Sequence, residues 1–140
     1  MTETITDKTE ALAAVKNDGF ALELVSDELK ADKEVVMAAA KNVGALEYAS
    51  EELKADREVV MAAVENYGRA LEHASDELKA DKEMVMAAVN NDGWALQDAS
   101  EELKADKEVV MAAVKNNGYA LECASEELKA DPEILALIDD

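Results

Sequence analysis

Apolar and polar positions along the chain recur in blocks of about 25 residues, and one block shows the rule. In residues 56–80, "DREVVMAAVENYGRALEHASDELKA", Val59, Val60, Ala63 and Val64 fall at i, i+1, i+4 and i+5. That spacing predicts one buried stripe on a helix. Asp56, just ahead, is suited to accept from the free backbone N–H groups of the first turn. Glu58 complements the positive end of the helix dipole. Gly68 comes after the last turn, where a left-handed residue commonly closes a helix. A second apolar series, Ala70, Leu71, Ala74 and Leu78, predicts a second helix ending at Lys79, whose charge suits the negative helix terminus. Ser75 lies within it. Two roles are open to this serine: a mid-helix hydroxyl, or the N-cap of a short final turn.

The block is repeated. "ELKADKEVVMAA" occurs at 28–39 and 102–113, with the variants "ELKADREVVMAA" and "ELKADKEMVMAA" between. Asp32, Asp56, Asp81, Asp106 and Asp131 are spaced 24, 25, 25 and 25 residues apart. Gly19, Gly44, Gly68, Gly93 and Gly118 keep the same rhythm. The reading is one repeat domain over 1–140, with units 7–31, 32–55, 56–80, 81–105 and 106–130 and a capping half unit 131–140. Unit two is one residue short: Gly44 is followed directly by Ala45. Helices of about ten residues are marginal alone in water. They hold when neighbouring units cover their stripes. The predicted fold is therefore all-α, an α-solenoid of about five and a half 24–25-residue two-helix repeats. Thr9 and Glu10 at the start, and Pro132 with "ILALIDD" at the end, fit capping units.

Composition adds to this picture. The apolar fraction is 49% but aromatics are only 4%, so much of the apolar content is small, as close helix packing requires. The net charge is −19, from 33 acidic and 14 basic residues. Such a field disfavours nucleic acid and anionic membranes and favours cationic protein partners. No apolar run approaches the ~20 residues that span a bilayer. "MTETITDKTE" lacks the charged and apolar regions of a secretory signal. The single cysteine, Cys123, excludes an internal disulfide. The chain reads as soluble and intracellular.

The segment "ALEYASEELKADREVVMAAV" at 45–64 resembles the repeat of the family catalogued as "domain of unknown function 4116". The resemblance runs from residue 7 to about 135. It rests on Asp, paired Val, Gly, "ALE", "AS" and "ELK" recurring in register. It implies an α-helical repeat protein and no known activity or catalytic residue. The unit is similar, less closely, to short two-helix repeats of the leucine-rich-variant kind.

Signatures of catalysis are missing from the residues. His73 and Cys123 share one repeat position two units apart, roughly 20 Å by helix packing distances, too far for a dyad. With one histidine and one cysteine, no structural zinc set exists. An EF-hand placed with Gly93 at its sixth position puts Ala88 and Ala99 where carboxylates are required. Gly19 fails likewise, with Ala14 and Val25. No metal and no cofactor are expected. The methionines Met37, Met61, Met86 and Met111 share a position on the first helix and are expected inside, although a methionine row also makes an adaptable groove. The pairs Glu51–Glu52, Glu101–Glu102 and Glu126–Glu127 read as a solvated face.

The variable positions carry the functional expectation. After each glycine stand Phe20, Arg69, Trp94 and Tyr119, with no counterpart in unit two. Before it stand Asp18, Val43, Tyr67, Asp92 and Asn117. In the second helix, Leu24, Tyr48, His73, Asp98 and Cys123 align. A core site does not accept Leu, Tyr, His, Asp and Cys in turn. Aromatics exposed on a rigid frame are typical interface anchors. The sequence thus points to a non-catalytic acidic module for protein–protein interaction or scaffolding. Its candidate contact residues are Tyr67, Arg69, Trp94, Tyr119, Phe20, Tyr48 and His73. The alternatives are an anionic mimic of nucleic acid that occupies a basic protein, and a self-stacking building block. The oligomeric state is left open.

Overall fold

Each unit begins where an aspartate carboxylate turns back onto the helix it precedes. The computed structural model describes residues 3–42 and 44–138. Asp56 Oδ1 accepts from the N–H groups of Glu58 and Val59 at 2.9 and 3.2 Å. Asp7, Asp32, Asp81, Asp106 and Asp131 cap their helices in the same way. The capped first helices are Lys8–Asn17, Lys33–Ala40, Arg57–Asn66, Lys82–Asn91 and Lys107–Asn116, with a short counterpart at Pro132–Leu135. Val59, Val60, Ala63 and Val64 are at most 3% exposed. In unit four, Met84 fills the place of the first valine and is fully buried. The chain is an all-α repeat solenoid, with no strand among the described residues beyond one isolated bridge between Ile5 and Val25.

The glycines act differently from the sequence expectation. Gly68 is not a left-handed closing residue. Tyr67 before it is extended (φ −150°, ψ 96°), and its N–H closes the first helix on the Ala63 carbonyl at 2.8 Å. Among the described residues only Gly44 has positive φ, at 89°. Gly68 is required by its neighbour: a Cβ there would run into the Ala88 carbonyl of the next unit. Gly93 faces the Ala113 carbonyl in the same way. Absence of a side chain lets successive layers touch backbone to backbone.

The segment that starts at this glycine is a 3₁₀ helix, Gly68–His73. Its buried residues explain the tighter winding. Gly68 and Leu71 lie three apart, and Ala74, the next at that spacing, is buried at the C-cap. A three-residue turn keeps all three on one line. The chain then extends through Ala74 and Ser75, and the Ser75 hydroxyl accepts from the Leu78 N–H at 3.4 Å. Serine is therefore the N-cap of a separate four-residue helix, Asp76–Lys79. The expected second helix is two pieces, so each unit has three segments. Equivalent 3₁₀ segments are Gly19–Leu24, Leu46–Tyr48, Gly93–Asp98 and Gly118–Cys123. Equivalent short helices are Asp27–Lys30, Glu51–Lys54, Glu101–Lys104 and Glu126–Lys129.

The serines also join layers. The N–H groups of Ser50, Ser75, Ser100 and Ser125 donate to the carbonyls of Lys30, Lys54, Lys79 and Lys104 in the preceding units, at 2.9–3.0 Å. Before unit one, Ile5 supplies the missing partner: its carbonyl accepts from Ser26 and its N–H donates to Leu24. First helices pack on first helices and 3₁₀ segments on 3₁₀ segments along the stack. The buried core among the described residues is wholly apolar.

Unit two carries the irregularity that its missing residue requires. Its first helix stops at Ala40 and its 3₁₀ segment shrinks to Leu46–Tyr48. The Phe20 ring of unit one lies over Gly44, where a Cβ would collide with it. Phe20 also meets Tyr48 edge-on, with centroids 6.4 Å apart and planes at 70°.

Candidate interaction surfaces

An ion-pair ladder runs along one edge of the stack. The first residue of each first helix is Lys or Arg, and it reaches the next unit. Lys33 Nζ lies 3.2 Å from Asp56 and 2.7 Å from Glu58. Lys8, Arg57, Lys82 and Lys107 repeat this toward Asp32 and Glu34, Asp81 and Glu83, Asp106 and Glu108, and Asp131 and Glu133. Each capping aspartate from Asp32 onward thus serves two helices, its own through backbone N–H groups and the preceding one through a cation. For Asp32, burial pushes the carboxyl up, but Lys8 and the Val35 N–H outweigh it and hold the group below its ordinary value. Asp56, Asp81, Asp106 and Asp131 are lowered too. The four lysines are held above their ordinary value, chiefly by the glutamate of each rung. The sequence showed these lysines only as part of a recurring motif, because the partner lies one unit away.

A second joint uses asparagine at the end of the first helix. Asn91 accepts from the Gly68 N–H at 2.7 Å and donates to the Glu65 carbonyl at 3.2 Å. Asn116 does the same with Gly93 and Asn90. Asn42 donates to the Val15 carbonyl. Asn66, facing irregular unit two, turns back to the Ala62 carbonyl of its own helix.

The methionine row does not lie inside, which corrects the sequence expectation. Met37, Met61, Met86 and Met111 are half-buried, resting on the core with one side open. They line clefts on the outer face of the first helices. One cleft spans three layers, from Met86 and Asn90 through Met111, Ala112 and Lys115 to Glu133. Another is lined by Met37, Arg57, Glu58, Met61, Ala62 and Glu65. The tight stripe at the two valine positions and the alanines already fills the inner face, so the methionine position rotates outward.

The variable residues sit on the other side, along the 3₁₀ edge. Tyr119 is 73% exposed and Phe20 49%. Trp94, Arg69, His73, Tyr48 and Tyr67 are half-buried. Arg69, Trp94 and Tyr119 occupy one position in adjacent layers. Tyr67 packs against the core instead. Its position is a structural one in three other units: Asp18, Asp92 and Asn117 cap the 3₁₀ segment through the N–H of Phe20, Trp94 and Tyr119. Val43 lies outside the described residues. His73 Nε2 stands 3.6 Å from Glu47. Asp98 is raised by burial and by Glu72, and its Oδ2 is buried without a partner, as is Arg69 Nε. Burial pushes the Cys123 thiol up.

Among the described residues no group of three or more His, Cys, Asp or Glu is placed to hold a metal. No helix among them is long and apolar enough to cross a membrane. The profile of the family described as "Domain of unknown function (DUF4116)" matches residues 7–54, 41–79 and 81–129. No curated protein and no solved structure matches the chain.

Proposed function

We propose a protein-binding or scaffolding role for this chain, which belongs to the DUF4116 family of unknown function. One observation carries the reading. The groups that join the layers recur almost unchanged, while Phe20, Arg69, Trp94 and Tyr119 vary in register along one edge. A rigid frame with an interchangeable row is how repeat proteins commonly present binding surfaces. The acidic field speeds encounter with a basic partner. The role is non-catalytic, and it needs no cofactor. Affinity capture from source cells, coupled to native mass spectrometry, tests it. A partner retained by the native chain and lost with Trp94→Ala plus Tyr119→Ala supports this edge. Capture unchanged by that pair of substitutions removes it.

Self-stacking has its own supporting observation. At the last 3₁₀ segment Leu121 is half-buried where Leu22, Leu71 and Leu96 are fully buried, and Ile138 is 40% exposed. This reading requires concentration-dependent oligomers in light scattering that Ile138→Glu abolishes. The nucleic-acid mimic is less favoured, because a cation clasps the Asp and Glu of every rung.

A further inference from the structure

We infer that the methionine face is a second docking surface, and that its occupant is a basic amphipathic helix of another protein. It is separate from the 3₁₀ edge. Three observations place it. First, Met37, Met61, Met86 and Met111 repeat at one position of consecutive first helices and open into clefts lined by equivalent residues. Thioether side chains adapt to varied apolar partners. Second, the cleft from Met86 to Glu133 crosses three layers, so it runs along the stack. Packed helices are spaced about 8–10 Å apart. A helix advances about 10.5 Å in seven residues, close to that spacing, so apolar side chains one heptad apart can reach neighbouring methionines.

Third, the charge is complementary. Each rung holds one cation against two carboxylates and keeps one net negative charge. Glu58, Glu108 and Glu133 line the clefts, Glu34 and Glu83 hold the equivalent positions, and all five side chains are 65–74% exposed. A partner with apolar residues toward the methionines and lysines or arginines toward these glutamates satisfies both features. Lys115 also lines the Met86–Glu133 cleft and offsets part of this charge there, so an acidic helix would meet its strongest repulsion at the Met37–Met61 cleft, where Glu58 and Glu65 stand with Arg57 alone. A second copy of this chain, itself at −19, meets the same repulsion.

The test uses the full chain and a labelled peptide of leucine and lysine, about three heptads long and patterned as an amphipathic helix. A scrambled peptide of identical composition controls for bulk charge. Fluorescence anisotropy is expected to give binding about tenfold tighter for the patterned peptide than for the scramble. Met86→Glu is decisive, because it makes the protein more acidic. Attraction by charge alone strengthens, whereas seating in the cleft weakens and the tenfold preference disappears. Met111→Gln gives the same loss without added charge, and circular dichroism confirms that each variant keeps its helices. Trp94→Ala plus Tyr119→Ala leaves the preference intact. The inference is overturned by equal binding of the two peptides, by a preference that survives both methionine variants, or by one lost with the aromatic pair. Self-association that Met86→Glu removes also overturns it, since the occupant is then a second copy.

Discussion

Lys33 Nζ stands 2.7 Å from Glu58 Oε1, across the joint between two successive units. Its other contact, Asp56, is also the N-cap of the next helix. The two halves of this arrangement differ in worth. Exposed ion pairs contribute about 0–1 kcal/mol, and an N-cap about 1 kcal/mol or more. Asp56→Ala is therefore expected to lower the melting temperature more than Lys33→Ala, and added salt is expected to shrink the lysine effect by the larger fraction, because the capping part of the aspartate effect remains. Thermal melts by circular dichroism at low and high salt check this.

The same aspartate sets an acid limit. Its carboxyl is lowered in the fold, so its contribution is full above the unfolded-state value and is lost as pH falls through the lower folded value. Asp56→Asn keeps a capping side chain but not the charge. The stability gap between native chain and Asp56→Asn is expected near neutrality and is expected to close below the ordinary value of 3.8. Denaturant titrations between neutral and strongly acid pH measure it.

Gly93 and Gly118 occupy the same repeat position in different surroundings. A Cβ at Gly93 strikes the Ala113 carbonyl, whereas at Gly118 the nearest atom is a methyl of Ile138, 3.0 Å away. Backbone cannot yield as a surface side chain can. Gly93→Ala is expected to cost about 2–3 kcal/mol and Gly118→Ala less than about 1 kcal/mol. Urea midpoints of the two variants decide the ranking.

Asn91 and Asn66 form a matched pair. Asn91 bridges two units, while Asn66 bonds its own helix. Asn91→Ala strands a half-buried N–H and is expected to cost about 1–2 kcal/mol. Asn66→Ala is expected to cost a few tenths of a kcal/mol. Equal losses in chemical denaturation would contradict the assignment of Asn91 as a clamp.

Asp98 is held above its ordinary value, first by burial and then by Glu72. A raised carboxyl weakens the fold while ionised, and that penalty disappears as pH falls toward the unfolded value. Asp98→Asn is expected to raise the melting temperature near neutral pH and to make no difference in strong acid. A lower melting temperature at pH 7 would show that the charge is needed.

Local features of the fold were readable along the chain, and features between units were not. Asp56 as a cap and Val59, Val60, Ala63 and Val64 as a stripe depend on neighbours within one helix. The break at Ser75 depends on a choice between periods of three and four. Gly68, Leu71 and Ala74 carried the three-residue signal, but Ala70 and Leu78 fit a four-residue reading as well. The roles of Gly68, Lys33 and Asn91 are defined by atoms of the adjoining unit, 20 to 25 residues away. The outward turn of Met86 reflects how much volume the valines and alanines already supply. Of the candidate edge, exposure at Tyr119 and Phe20 agrees with their variability, whereas Tyr67 stands where other units use a cap.

The short second unit divides the molecule in a further sense. In a linear array, cooperativity passes only through nearest-neighbour coupling. Between units two and three the asparagine clamp is missing, while Lys33 and the Ser75 N–H still hold one edge. Coupling is therefore weaker at this internal joint than at the joints that Asn91 and Asn116 clamp. Residues 3–42 and the region from unit three onward are expected to unfold as two partly independent blocks inside one continuous stack. Amide exchange is expected to be slower in the units joined by Asn91 and Asn116 than in residues 3–42.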